Sequence, residues 1–292
     1  MSVKKLISLF ISAALIFSLV SCSNSTKRKQ ESMKVSILYP NWAEGIAFTY
    51  LAKNALESNG FTVDLTNLEP GLIYGELSKE NSKGDVFLDA WLPNTHKDYW
   101  AHYGDKLVKL GESFSEGTTG LVVPAYVPIN SIDELNNNKA KFGGEIIGIG
   151  SGAGIHASTE KAIDAYKLDF EQVTSSGPAM VASLEKAVRK DKWIVITGWK
   201  PHFMWANFDL KYLDDPKQIY PKDVCAIVSR RGFEEDKPRA AAFFKNFNLT
   251  EEQLYGLMAA IRTDGDNAGA KKWYDANKAL VDGWFAAASP EK

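Results

Sequence analysis

The stretch Val86-Phe87-Leu88-Asp89-Ala90-Trp91-Leu92-Pro93-Asn94-Thr95-His96 decides how the rest of the chain is read. An apolar run of strand type leads into a tryptophan set among turn-forming and polar residues, where a packed core gains least from an indole. Two other stretches share this pattern. Tyr39-Pro40-Asn41-Trp42-Ala43-Glu44 follows the strand-like run Lys34 to Tyr39, and Thr197-Gly198-Trp199-Lys200-Pro201-His202 follows the run Trp193 to Thr197. Strand ends in open α/β folds are where ligands bind. Trp100, Trp193, Trp205, Trp273 and Trp284 lack that setting and read as packing residues.

Working outward, strand-like and helix-like segments alternate. Ile46 to Ser58 places Ile46, Phe48, Leu51, Ala52 and Leu56 near one helical face, and Gly60 closes it. Phe61 to Leu65 alternates as a strand, and Tyr74 to Leu77 belongs to a short helix. Gly120 to Val123 and Val224 to Val228 are two strands separated by roughly a hundred residues, with a second α/β unit between them whose own strands are Glu145 to Ile149 and Trp193 to Thr197. Ser131 with Glu134, and Thr250 with Gln253, have the spacing of capping boxes, so Asn248-Leu249-Thr250 reads as helix-start chemistry rather than a glycosylation site. The pattern predicts a two-lobe α/β protein crossed twice by the chain: residues 34–124 plus 224–288 form the first lobe and 125–223 the second. Two crossings leave a hinge over which the lobes close.

The amino terminus carries Lys4 and Lys5, then the mostly apolar run Leu6 to Val20, then Leu19-Val20-Ser21-Cys22. A charged start, an apolar run too short to span comfortably and small residues before a cleavage point describe an export signal over residues 1–21. Cys22 after Leu-Val-Ser resembles a bacterial lipobox, which implies a lipidated cysteine and a polar tether through residue 33. The protein is then expected to be membrane-anchored on the extracytoplasmic side, in the periplasm or at the cell surface. Lipidation of Cys22 leaves Cys225 alone in an apolar run, as a small buried hydrophobe. Two cysteines and four scattered histidines make no metal site. The formal charge of −2 becomes −4 when Lys4 and Lys5 leave with the signal, which argues against a nucleic-acid partner.

Three indoles converging on one point suit a cation that has no hydrogen to donate, so the tryptophans point to a quaternary ammonium compound. Each desolvated contact contributes about 2 kcal/mol, and association consumes several kcal/mol of the total. An anion site must therefore add to it. The glycine-rich turn Gly148-Ile149-Gly150-Ser151-Gly152-Ala153-Gly154-Ile155, running from a strand into a helix, supplies free N–H groups and the positive end of a helix dipole.

With these motifs assembled, and with Lys211-Tyr212-Leu213-Asp214-Asp215-Pro216-Lys217 beside them, nearly the whole exported chain resembles the substrate-binding lipoproteins of glycine betaine or proline betaine ABC importers. The resemblance implies a type II periplasmic-binding-protein-like fold with a ligand cleft between lobes. It implies Trp42, Trp91 and Trp199 as a box for trimethylammonium, and His96 with the amides of Gly154 and Ile155 as the carboxylate site. His96 would donate as neutral imidazole, or more strongly if protonated. From the residues themselves, Glu44 either points a carboxylate at the cationic end or begins the next helix, His202 either faces the cleft or, as the preferred reading, packs at a helix start, and Tyr39, Tyr74 and His156 are lesser candidates behind the box. No cofactor and no enzymatic activity are expected; the partners are the small ligand, a permease with its ATPase, and the membrane through the lipid.

Competing readings remain. Choline shares the cation but lacks the carboxylate, and carnitine is longer. Gly148-x-Gly150-x-x-Ala153 with Asp169 about twenty residues on fits a dinucleotide fingerprint and would make a nicotinamide-dependent dehydrogenase. A hydrolase would have to use His96 or His202 with Asp89, without a Gly-x-Ser-x-Gly elbow.

Overall fold

The computed structural model describes residues 32–286. The expected signal, Cys22 and most of the tether lie outside the described residues. Among the described residues no helix is long and apolar enough to cross a membrane.

The strands are β1 (Lys34–Tyr39), β2 (Thr62–Asn67), β3 (Val86–Leu92), β4 (Leu107–Pro124), β5 (Glu145–Ile147), β6 (Glu171–Val173), β7 (Ile196–Lys200), β8 (Leu210–Tyr212) and β9 (Asp223–Arg230). Their order is β2-β1-β3-β9-β4-β7-β5-β6, with β8 added on β4. The long β4 joins the two halves. Leu107 to Gly117 pair antiparallel with β9, while Thr118 to Pro124 pair antiparallel with β7 and β8. In each half the outer strands are parallel, β1 with β2 and β3, and β5 with β6 and β7. The expected lobe limits at 124 and 223 fall at the end of β4 and the start of β9, whereas β4 changes partners at Thr118.

The helices that matter for the site are α1 (Ala43–Ser58), α2 (Pro70–Leu77), α3 (Lys97–Tyr103), α4 (Gly154–Tyr166) and α5 (Gly177–Val188). In α1 the buried face is Ala47, Phe48, Leu51, Ala52, Ala55 and Leu56, which packs on the sheet and on the carboxy-terminal helices. Gly60 follows at φ +89°, a conformation that a side chain would resist. Both capping boxes form, Ser131–Glu134 at a single 3₁₀ turn and Thr250–Gln253 at the helix Glu251–Asp264. One apolar core lies under α1 and runs past the tryptophans to Met180 and Leu184 on α5, a second fills the other face of the second half around Leu121, Ile146 and Val195, and a third lies under α2 around Tyr74 and Phe87.

The strand ends differ from the sequence expectation. Trp91 lies inside β3, which is buried along its whole length, and Trp199 lies inside β7, which begins at Ile196 rather than Trp193. Only Trp42 stands beyond its strand, capping α1 without a side-chain hydrogen bond. The reason is neighbouring strands: β9 pairs with β3 through Leu92, and β4 pairs with β7 through Lys200, carrying both ladders past the apolar runs.

Candidate functional site

A cavity of about 260 Å³ lies where the two halves of the sheet meet. Trp42, Trp91 and Trp199 line it together with Glu44, Thr95, His96, Thr119, Ile149, Ala153, Gly154 and Ile155. The three indoles are buried but leave faces on the cavity. Trp42 and His96 are in ring contact at 6.0 Å between centroids.

His96 is fully buried, and its orientation fixes its tautomer. The backbone N–H of Trp91 donates to Nδ1 at 3.1 Å, and the Tyr74 hydroxyl lies 3.3 Å from the same atom. Since Nδ1 accepts, the proton of the neutral ring sits on Nε2. Nε2 is buried without a partner, a donor held ready for an acceptor in the cavity. Burial pushes the imidazole down to about 3, so the ring is neutral at ordinary pH and the stronger, protonated donor is not formed.

The turn that presents His96 is anchored from β9. The Asp223 carboxylate accepts from the backbone N–H groups of Asn94 (2.6 Å) and Thr95 (2.9 Å), and from the Thr95 hydroxyl (2.5 Å). Thr95 in turn packs against Gly154, the first residue of α4, where an added Cβ would stand 2.1 Å from the Thr95 carbonyl oxygen. Ala153 caps α4 without a side-chain hydrogen bond, so the first N–H groups of that helix have no capping acceptor at the cavity. Tyr99 ties the same glycine loop to α3, its hydroxyl donating to the Gly152 carbonyl at 2.9 Å.

Glu44 joins the two halves directly. Its Oε2 accepts the Trp199 indole N–H at 2.8 Å, while Oε1 is buried without a partner. Asp89, in the middle of β3, is also buried with neither oxygen partnered. Burial pushes the Glu44 carboxyl up to about 8 against the opposing pull of the indole N–H. Burial and the neighbouring Glu44 charge hold Asp89 well above the usual carboxylate range.

Thr119 and Thr95 were not singled out as site residues by the sequence, and Asp89 entered only as the acid of the hydrolase reading. Thr95 and Asp89 sit within the Asp89–His96 motif, which offered a signal; Thr119 offered none. His202 is not in the cavity lining. Its ring meets the edge of Trp199 at 4.7 Å, and its Nδ1 accepts from the Met204 N–H, a helix-start contact. Tyr39 pairs edge-on with Tyr50, and His156 lies on α4 away from the lining. The dinucleotide reading loses its acid: Asp169 precedes β6, is exposed, and pairs with Lys139 on the surface. The hydrolase reading loses its dyad, because His96 Nδ1 is engaged by Trp91 and Tyr74 rather than by Asp89. Cys225 is free and buried, as expected.

Several known proteins are similar to this chain in sequence and fold. The chain is 42% identical over 145 residues to the glycine betaine/carnitine transport binding protein GbuC of Listeria monocytogenes, a match covering 48% of each chain, so it spans about half the length of that relative. The closed, liganded crystal structure of lactococcal OpuAC with glycine betaine is 35% identical, with a TM-score of 0.82 over 87% of this chain and 99% of that one. The glycine betaine/L-proline-binding protein ProX of Borrelia burgdorferi is 32% identical, with a TM-score of 0.82 over 86% and 96% of the two chains. The two-lobe fold expected from sequence is the fold of these structures. Residues 33–276 match the substrate-binding domain of ABC-type glycine betaine transport systems, and the chain belongs to that family, OpuAC.

Proposed function

We propose that this chain captures glycine betaine, or proline betaine, between its two lobes and delivers it to the permease and ATPase of an ABC importer. The observation that carries this reading is the single cavity in which three indole faces stand beside the partnerless His96 Nε2–H and the start of α4. The cation end of a betaine has no N–H and is served by aromatic faces. Its carboxylate is served by the imidazole proton and the amides of Gly154 and Ile155. Cys22 would carry the lipid that keeps the protein at the extracytoplasmic face of the membrane.

The test is intrinsic tryptophan fluorescence of the purified protein titrated with glycine betaine, proline betaine, carnitine and choline. Saturation at micromolar glycine betaine with choline much weaker supports both ends of the site. Preference for choline removes His96 and the amides from their roles, and silence with every ligand, repeated by calorimetry, removes the ligand class.

The His96 role predicts a selective loss. His96→Ala deletes a hydrogen bond to a charged acceptor, about 1.5–3 kcal/mol, so betaine affinity falls about 10- to 100-fold while choline affinity changes little. Equal losses for the two ligands in parallel titrations would count against a carboxylate contact.

A further inference from the structure

Two carboxyl groups are buried side by side behind a cation site: Glu44 Oε1 has no hydrogen-bond partner, and Asp89 has only the Trp91 and Cys225 side chains turned toward it, neither in a well-formed hydrogen bond. Glu44 enters from the first turn of α1 and lines the cavity; Asp89 enters from β3. They are close neighbours: a Cβ on Gly45 would lie 2.8 Å from Asp89 Oδ2. No lysine or arginine lines the cavity, and among the described residues neither acid is in a salt bridge. The groups facing the pair are the Cys225 thiol from β9, the Trp91 side chain from β3, the Trp199 indole from β7, the Tyr74 phenol from α2, which burial keeps protonated, and the neutral His96 ring. None of these brings a positive charge. Two like charges buried together without a counter-ion are not tolerated, so the empty site keeps protons on the pair.

We infer that Glu44 is the specificity-determining acid of the cavity, giving up its proton to solvent when a permanently cationic ligand enters and thereby supplying the site's counter-charge. The inference rests on the proposed quaternary ammonium ligand. The balance is simple: a neutral carboxylic acid becomes a carboxylate, one proton goes to the buffer, and the trimethylammonium, which has no proton of its own to lose, provides the compensating charge. The Trp199 N–H already donates to Oε2, and Oε1 is the atom left without a partner. A neutral ligand of the same shape would leave the acid protonated and gain nothing from it, so the pair selects for charge where the indoles select for shape.

The direction of the pH dependence follows. A group whose proton leaves on binding makes binding tighter as pH rises, until the free protein has itself lost that proton. With the free carboxyl at about 8, affinity rises from pH 6 and levels off above that value. Neither His96, held at about 3, nor Cys225, pushed well above its usual value, titrates in this window.

Calorimetry of the purified protein with glycine betaine and with choline, from pH 6 to 9, is the test. Affinity for both cations is expected to rise at least about tenfold between pH 6 and 8, since each proton released allows up to a factor of ten per pH unit. At pH 7 the heats in phosphate and Tris should differ by the ionisation of about one proton. Glu44→Gln, which keeps an acceptor for the indole and removes the titration, should abolish both effects while melting no lower than the native chain at pH 8. Binding with flat affinity and buffer-independent heat in the native protein overturns the inference and leaves the function standing. A pH slope that persists in Glu44→Gln overturns the assignment to Glu44. No binding of any quaternary amine at any pH overturns the function itself, and this inference with it.

Discussion

Gly154→Ala is expected to lower betaine affinity by at least about 100-fold, equivalent to about 2.7 kcal/mol, with the melting temperature nearly unchanged. The added methyl would stand 2.1 Å from the Thr95 carbonyl oxygen, 2.6 Å from Thr95 Cγ2 and 2.8 Å from the Thr95 carbonyl carbon. Two of those atoms are backbone, so no rotamer change relieves the overlap. Thr95 is not free to retreat, because Asp223 holds both its N–H and its hydroxyl. What gives instead is the contact between the α4 start and the His96 turn. Gly154 begins a helix, where alanine is a good residue, so each side of the contact still folds. The substitution therefore strikes closure rather than folding. Affinity and thermal melting measured on one preparation separate these outcomes: loss of both would indicate a folding defect, and loss of neither would show that α4 and the His96 turn do not meet in the bound state. Thr95→Ser in the same background removes the methyl but keeps the carbonyl, so it should not restore binding.

That contact also marks what the sequence could show. The motifs around Trp42, Trp91, Trp199 and Gly154 are local, and each signals an indole or a free amide within a few residues. The structure brings all four to one cavity. The helix ends were equally legible, since Ser131–Glu134 and Thr250–Gln253 are short-range hydrogen-bond patterns. Pairings over long separations were not. The Glu44–Trp199 hydrogen bond spans 155 residues, and the Asp223 clamp on Asn94 and Thr95 spans 129 and 128. Nothing near Asp223 announces a turn held that far away. Strand limits failed for the same reason: a ladder ends where its neighbour ends, so β3 and β7 run past their apolar cores into the tryptophans. Likewise His96 reads as a proton switch in sequence, and only its burial shows it to be a fixed neutral donor.

Trp199→Leu should weaken betaine binding by two to three orders of magnitude, more than the loss of one aromatic face alone would cause. The face contributes about 2 kcal/mol toward a desolvated cation. The indole N–H adds a separate effect, because it is the partner that Glu44 Oε2 has when the halves are together. Leucine leaves that buried oxygen without a donor, at a cost of about 1–3 kcal/mol. Donor and acceptor come from opposite halves and meet only when the halves are together, so the penalty falls on the closed, ligand-holding state and appears in affinity. The strand itself should survive, since the Trp199 carbonyl accepts from the Trp205 indole N–H at 2.7 Å and β7 keeps its ladder to β4. Trp199→Phe divides the two contributions: it keeps an aromatic face and removes the N–H, so it should lose only about tenfold. If phenylalanine is as damaging as leucine, the hydrogen bond to Glu44 outweighs the π face. If leucine binds betaine like the native protein, Trp199 is a packing residue and the box has only two walls. Combining each change with Glu44→Ala, which removes the acceptor, completes a double-mutant cycle. Coupling is expected for both substitutions, because both remove the donor that Glu44 faces across the cleft.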